Sequence, residues 1–260
     1  MPNNKIPTLL RPKLFTNRSS YLFDGVDECI DIDTIHTALA STTTGTWSFW
    51  VRAVDATPAA TDDLIAFGDT DASTFIQLKL TTAGLLRLQI VIAGTGQWDL
   101  DTDAAAFSDN TWHHVAIVQD GVAGVLYVDG VAPAQAFSVT TDQTVWFNDI
   151  AALDNGRIAC QNSNSGGNGN FFNGNIDEIC FFDTNLTSAQ ILELYNTGKP
   201  KNVLKHSAIG NLVSYFRIDE DTFDGTNYTV RDKKGLNTGT TINNGTTVNM
   251  EAGDKENDVP

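Results

Sequence analysis

No apolar run in this 260-residue chain approaches the roughly 18 residues that a membrane-crossing helix requires, so membrane insertion is not expected. Bases are scarce: sixteen Lys and Arg stand against thirty-two Asp and Glu, for a net charge of -16, and no stripe of positive charge appears. Nucleic acid is not expected as a partner, because phosphate contacts need clustered Lys and Arg. Cysteine is limited to Cys29, Cys160 and Cys180, an odd count without paired spacing. That argues against a disulfide framework and for free buried thiols. Glutamate is nearly missing, with six Glu against 26 Asp. The acids therefore belong to turns and loops, where they either solvate an all-β surface or hold calcium. The opening residues, Met1 to Pro7, lack the apolar segment of an export signal, so synthesis into the cytoplasm is the expectation.

What is present is a succession of short alternating runs with turn residues between them. Tyr21 to Ile32, Trp47 to Val54, Leu64 to Gly68, Phe75 to Leu80, Leu85 to Ile92, Trp112 to Gln119 and Val125 to Val128 read as strands. Thr144 to Phe147, Gly156 to Gln161 and Phe171 to Phe182 follow. In the second run Trp47, Phe49 and Val51 share one face, while Trp50 falls on the other with Ser48 and Arg52, placed to line a sheet face. In the last run both alternating sets are largely apolar, as in a strand covered on both sides. The period then changes to that of a helix. Thr187 with Gln190 forms a capping box, Ile191, Leu194 and Tyr195 share a face, and Gly198 and Pro200 stop the helix. About three turns are too few for independent stability, so this helix must dock on a sheet.

These runs predict an all-β fold, a two-sheet antiparallel jelly-roll sandwich with one short C-terminal helix and extended terminal arms. Residues 1–20 read as an N-terminal arm carrying Arg11, Lys13 and Arg18, residues 21–198 as the jelly roll, and residues 199–260 as an extension that packs on the sandwich or on a neighbouring subunit. In the extension, Leu212 to Ile218 reads as one more strand, and Gly239 to Asn244 is nearly repeated by Gly245 to Met250.

The order of motifs carries a resemblance. Phe23-Asp24-Gly25-Val26-Asp27-Glu28, the run Trp47 to Arg52, Trp112-His113-His114-Val115-Ala116, Tyr127-Val128-Asp129-Gly130 and Ile176-Asp177-Glu178 precede a short helix with a Leu-Tyr ending. This succession resembles the laminin G-like branch of the concanavalin A-like jelly rolls, and the extension resembles tails on phage- and virus-encoded versions. The resemblance implies two calcium sites. One follows the pattern of pentraxin-like relatives and begins with Asp62 and Asp63, although Gln161-Asn162-Ser163-Asn164 supplies amides and a hydroxyl where that pattern has carboxylates. The other uses Asp177 with Asp24 or Gly25, against the plainer role of Asp177 as an acceptor for crossing backbone. It also implies that Cys29 and Cys180 face each other if the first and last strands pair.

Similar jelly rolls include glycoside hydrolases with a Glu-x-Asp-x-(x)-Glu signature, which this chain lacks, so no catalysis is expected. His113 and His114, as strand neighbours, point to opposite faces and cannot converge on one metal. The Gly-rich stretch Ser165 to Asn170 lacks the lysine and helix of a phosphate loop and reads as a rim loop. For sugars, Trp98 and Trp146 are the candidate stacking platforms and Asp99 a candidate hydroxyl reader, with Phe171 and Phe172 beside the Gly-Asn loop. The primary expectation is a non-enzymatic virion surface protein, a decoration or fibre-like component made in the host cytoplasm. It would attach by its arms to a capsid protein, form homo-oligomers and bind glycans. The alternative is a cellular or secreted carbohydrate-binding module or adhesin acting outside the cell. A degenerate glycosidase is a third reading.

Overall fold

A computed structural model describes residues 15–218, 221–224, 226–243 and 255–260. The N-terminal arm as far as residue 14, with Arg11 and Lys13, therefore lies outside the described residues, as do Asp219, Glu220 and the second copy of the near repeat. In chain order the elements are β1 (Ser20–Asp24), β2 (Glu28–Asp31), α1 (Asp33–Leu39), β3 (Gly45–Ala53), β4 (Asp62–Gly68), β5 (Phe75–Leu80), β6 (Leu86–Ile92) and β7 (Thr95–Thr102). Next come β8 (His113–Gln119), β9 (Gly124–Val128), β10 (Gln135–Thr140), β11 (Asn155–Ile158), β12 (Gln161–Asn162), β13 (Asn168–Gly169), β14 (Asn173–Phe182) and α2 (Ser188–Tyr195). The chain continues through β15 (Leu212–Phe216), β16 (Thr222–Phe223), β17 (Tyr228–Val230), β18 (Gly239–Asn243) and β19 (Lys255–Glu256).

The strands build two antiparallel sheets packed face to face. The smaller runs β19-β1-β14-β3-β8-β9, with β15 also on β14, and the larger runs β10-β7-β6-β5-β4-β11-β2-β18-β17-β16. Strand alternation sends one set of side chains from each sheet into a shared core. Trp47 sits near its middle, with ring centroids 5.2 Å from Phe67, 5.4 Å from Trp146 and 6.1 Å from Phe181. The other face of the smaller sheet carries a second apolar cluster, in which Ala116, Val118, Cys180 and Phe182 meet Leu186, Ile191 and Leu194. Hence β14 is covered on both sides. Trp50 belongs to this covered face, stacked on Tyr195 of α2 at 6.0 Å, and does not line an open sheet.

Helix α2 forms where the capping box places it. The backbone N–H of Gln190 donates to Thr187 Oγ1 at 3.3 Å, the backbone N–H of Thr187 donates to Gln190 Oε1 at 2.9 Å, and Ile191 and Leu194 are buried. Its end is set by Asn196, which is left-handed at φ 47°. Thr187→Ala is expected to cost about 1 kcal/mol of stability, because it leaves first-turn N–H groups without an acceptor. A urea-unfolding midpoint reads that loss.

The structure revises three sequence expectations. The run Tyr21 to Ile32 is not one strand, because Gly25 turns the chain at φ 77° and sends β1 and β2 into different sheets. The run Thr144 to Phe147 is not a strand either: a short 3-10 turn at Phe147–Asp149 wedges Trp146 and Phe147 into the core. Strands β7 and β10 and helix α1 are additions that no run in the sequence marks. Beyond α2, β15 adds to the smaller sheet and β18 pairs with β2 at the larger, so this part of the chain packs on the sandwich.

Candidate functional site on the outer face of the larger sheet

Strands β5, β6 and β7 lie side by side, and their alternation gives the larger sheet an apolar inner face and a polar outer one. Ile76, Leu78, Leu88, Ile90, Trp98 and Leu100 point into the core. The register aligns the outward residues in rows across the strands. One row reads Asp63, Lys79, Arg87, Asp101, the next Ala66, Gln77, Gln89, Asp99, and Phe75 pairs with Val91 in a third. A chain of hydrogen bonds fixes the middle of this face. Lys79 Nζ donates to Gln77 Oε1 at 2.7 Å and to Gln89 Oε1 at 3.0 Å, and Gln89 Nε2 donates to Asp99 Oδ2 at 2.8 Å. Arg87 grips Asp101 through two N–H groups, at 2.5 and 3.0 Å, and Ser138 of β10 adds a bond to the same carboxylate. Half-buried Phe75 presents its ring beside this network, 5.6 Å from Lys79 Nζ.

The β12–β13 hairpin roofs one side of the face. Its Gln161 meets Gln77, Ser163 Oγ donates to Gln161 Oε1 at 2.7 Å, and Asn170 Nδ2 donates to Asp63 Oδ2 at 2.8 Å. The hairpin approaches β4 so closely that a Cβ on Gly68 would stand 2.2 Å from the Asn162 carbonyl oxygen, so only glycine fits there. The floor is buried and charged. Asp63 is fully buried and Asp99 is 5% exposed, and each keeps one carboxylate oxygen without a hydrogen-bond partner. Burial pushes the Asp99 carboxyl up and the Lys79 ammonium down, and raises Asp63 to about 6 despite the opposing pull of Lys79 and Asn170.

That upward shift has a sign for stability. A carboxyl raised on folding favours the folded state while protonated, so the contribution is complete below about pH 4 and is lost as pH rises through about 6. For Asp63 the difference is on the order of 2 kcal/mol. Urea midpoints at pH 4.5 and pH 7.5 are expected to show the wild type losing stability relative to Asp63→Asn by that order. Equal pH slopes would contradict it.

The outer face belongs to a fold with known relatives. The sequence profile described as the concanavalin A-like lectin/glucanases superfamily, laminin G type, matches residues 24–192. The chain belongs to this superfamily. No curated protein matches its sequence. Among solved structures, the carbohydrate-binding module CBM40 of the Ruminococcus gnavus IT-sialidase, bound to α2,3-sialyllactose, is similar with a TM-score of 0.57 and 15% identity, over 69% of this chain and 97% of that one. A putative carbohydrate-binding protein from Bacteroides ovatus has a TM-score of 0.57 and 16% identity, over 90% of this chain and 60% of that one. The NanB sialidase from Streptococcus pneumoniae, in its K499G form, has a TM-score of 0.57 and 17% identity, over 81% of this chain and only 31% of its own length. At these identities the likeness establishes the superfamily's fold.

Within that fold the residues singled out from sequence scatter. Asp99 lies on the outer face. Trp98 and Trp146 do not: both are 0% exposed in the core, Trp98 donates its Nε1 to the Val145 carbonyl at 3.1 Å, and neither ring can stack on a sugar. Phe172 is likewise buried. The pairs expected to hold calcium do not converge. Asp24 sits opposite Asn173, four residues along β14 from Asp177 and so about 13 Å away. Asp177 is buried, with Oδ1 accepting the Glu178 N–H at 2.8 Å and Oδ2 accepting Asn17 Nδ2 at 2.6 Å. These bonds run to its sequence neighbour and to a side-chain amide. Asp62 and Asp63 are successive residues of β4 and point to opposite sides, Asp63 toward Lys79 and Asp62, also raised to about 6 by burial, onto the backbone of Asn173. Among the described residues no three His, Cys, Asp or Glu side chains gather as a metal site.

His113 and His114 diverge as strand neighbours must. His113 Nδ1 meets Asp129 Oδ2 at 2.8 Å, while His114 Nε2 meets Ser48 Oγ at 2.8 Å in the cluster under α2, where burial lowers its pKa to about 3. Cys29 and Cys180 lie in different sheets, so they do not face each other. The neighbour of Cys29 is Cys160, across the β2–β11 pair, and all three thiols are free and buried. Sequence reading missed Phe75, Gln77, Lys79 and Gln89 as a set. The available signal was the alternation in Phe75-Ile76-Gln77-Leu78-Lys79-Leu80 and Leu86-Arg87-Leu88-Gln89-Ile90.

Proposed function

We propose that this chain is a carbohydrate-binding module that reads neutral glycans on the outer face of its larger sheet and does not turn them over. The observation that carries this reading is the fixed row Gln77, Gln89, Asp99 beside the Phe75 ring. Amides and carboxylates held in place by neighbours exchange hydrogen bonds with sugar hydroxyls, and an adjacent aromatic ring packs on the apolar face of a pyranose. The carbohydrate-binding modules among similar structures support the class.

Charge narrows the ligand. The only cations in the two polar rows are Lys79, held by Gln77 and Gln89, and Arg87, held by Asp101. Asp63, Asp99 and Asp101 outnumber them, so an anionic sugar meets net repulsion. The module from Ruminococcus gnavus is bound to sialyllactose; this face favours uncharged sugars instead. Turnover would need two carboxyls free to act on the sugar, about 5 Å apart in a retaining enzyme and roughly 6.5–9.5 Å apart in an inverting one, so engagement of the carboxyls rather than spacing decides here. Asp99 and Asp101 are two residues apart on one strand, about 7 Å, and Asp101 has both oxygens on Arg87. Of the two leading readings drawn from the sequence, the carbohydrate-binding module is favoured over the virion surface role, for which the fold and its relatives offer no support.

A glycan array tests the proposal. Binding to neutral oligosaccharides with no response to their sialylated counterparts is expected. Response to sialylated glycans alone would overturn the ligand class, and response to none would overturn the function.

A further inference from the structure

On the far side of the sandwich from the glycan face, the chain binds one of its own segments. Lys255–Glu256 adds to the edge of the smaller sheet, Glu256 opposite Ser20 and Lys255 opposite Tyr21, and Ser20 Oγ donates to the Asp258 carbonyl at 2.5 Å. Residues two apart in an extended strand share a face, so Glu256 and Asp258 descend together onto the sheet. There Asn175 Nδ2 donates to Glu256 Oε2 at 3.2 Å. Arg52 Nη1 lies 2.7 Å from Asp258 Oδ2, and Trp112 Nε1 donates to Asp258 Oδ1 at 3.0 Å. The seat is built into the sheet: Leu22, Asn175 and Arg52 are register partners across β1, β14 and β3, and Arg52 also donates to fully buried Asn175 at 3.0 Å. A groove of about 640 Å³ continues beside it between Leu22, Val54 and the docked segment.

We propose that this edge, with Arg52, Trp112 and Asn175, is an acceptor for an extended Glu-x-Asp strand, and that in concentrated solution the strand comes from residues 255–260 of a second copy. Backbone pairing supplies affinity and the alternate acidic side chains supply the choice of strand, as in other sheet-edge recognition. An otherwise acidic chain offers here a cation and an indole N–H to a carboxylate, which matches the charge of its own segment. Every copy carries both strand and acceptor, so exchange between two copies remakes the same contacts with two-fold symmetry. Eleven residues, 244–254, separate β18 in the larger sheet from β19 in the smaller. Such a length spans up to about 36 Å when extended, enough to reach a neighbour. The intrachain contact is short: a two-residue backbone pairing, an ion pair whose side chains are 22% and 43% exposed, and side-chain bonds from Ser20, Asn175 and Trp112.

The test uses full-length chains whose folding is first checked by their urea midpoints. One variant is strand-defective, Glu256→Gln with Asp258→Asn; the other is acceptor-defective, Arg52→Ala, with Trp112→Phe as an independent substitute. The amidated peptide Lys-Glu-Asn-Asp-Val-Pro is expected to bind the strand-defective chain and to lose at least tenfold in affinity when Arg52→Ala is added. Light scattering over a concentration series is expected to show wild-type dimers, monomers for each variant alone, and dimers when the two variants are mixed. Failure of the peptide to bind would overturn the acceptor. A bound peptide with a mixture that stays monomeric would overturn exchange, leaving an intrachain latch. Dimers formed equally by every variant would place the contact elsewhere and overturn the proposal as well.

Discussion

Trp98→Ala is expected to destabilise the sandwich by about 3–5 kcal/mol, the cost of emptying a large aromatic site in a packed core. The indole is 0% exposed, its N–H is satisfied by Val145, and its six-membered ring lies so near Gly124 that a Cβ there would stand 2.6 Å from it. Glycine has no side chain with which to refill the hole from that side. Denaturant midpoints measure the loss, and a sugar titration at a temperature where the variant stays folded should match the wild type. A stable variant with lost sugar affinity would instead restore Trp98 as a stacking platform.

The second large effect concerns affinity. Phe75→Ala and Gln89→Ala are each expected to weaken neutral-glycan binding by about 1–2 kcal/mol, roughly 5- to 30-fold, the size of one aromatic contact or one hydrogen-bonding amide. Both residues are only half-buried and neither belongs to the inner core. Phe75→Ala should change stability by less than about 1 kcal/mol, whereas Gln89→Ala, which unpairs buried Asp99, should cost about 1–3 kcal/mol and is titrated at a temperature where it stays folded. Gln89 is the more informative of the pair, because it joins Lys79 to Asp99. Its removal leaves Asp99 with neither oxygen paired. Calorimetric titration separates these outcomes; unchanged affinity in both variants would exclude the outer face as the sugar site.

The sequence made β3, β8, β14 and α2 legible because their signals are local. Trp47, Phe49 and Val51 alternate cleanly, and Thr187 with Gln190 marks a helix start that the hydrogen bonds reproduce. Strand β7 is obscured by the feature that makes it useful: its outward positions Asp99 and Asp101 are polar, so Thr95 to Thr102 reads as a loop unless Trp98 and Leu100 are recognised as the inward set. Tryptophan in a polar run then resembles an exposed platform when it is the only large aromatic residue the strand contributes to the core. The break at Gly25 is hidden for a similar reason, since both halves of Tyr21 to Ile32 alternate and only the φ 77° turn separates their sheets. The candidate site escapes because glutamines carry no motif. Gln77 and Gln89 become partners only through the β5–β6 register, which no spacing along one chain encodes.

The most direct measurement is a crystal structure of the chain with the neutral oligosaccharide that ranks first on the array. Sugar density is expected against Phe75 and Gln89, within hydrogen-bond distance of the Gln77–Gln89–Asp99 row. Density seated elsewhere, with this face left to solvent, would contradict the assignment of the outer face as the glycan site.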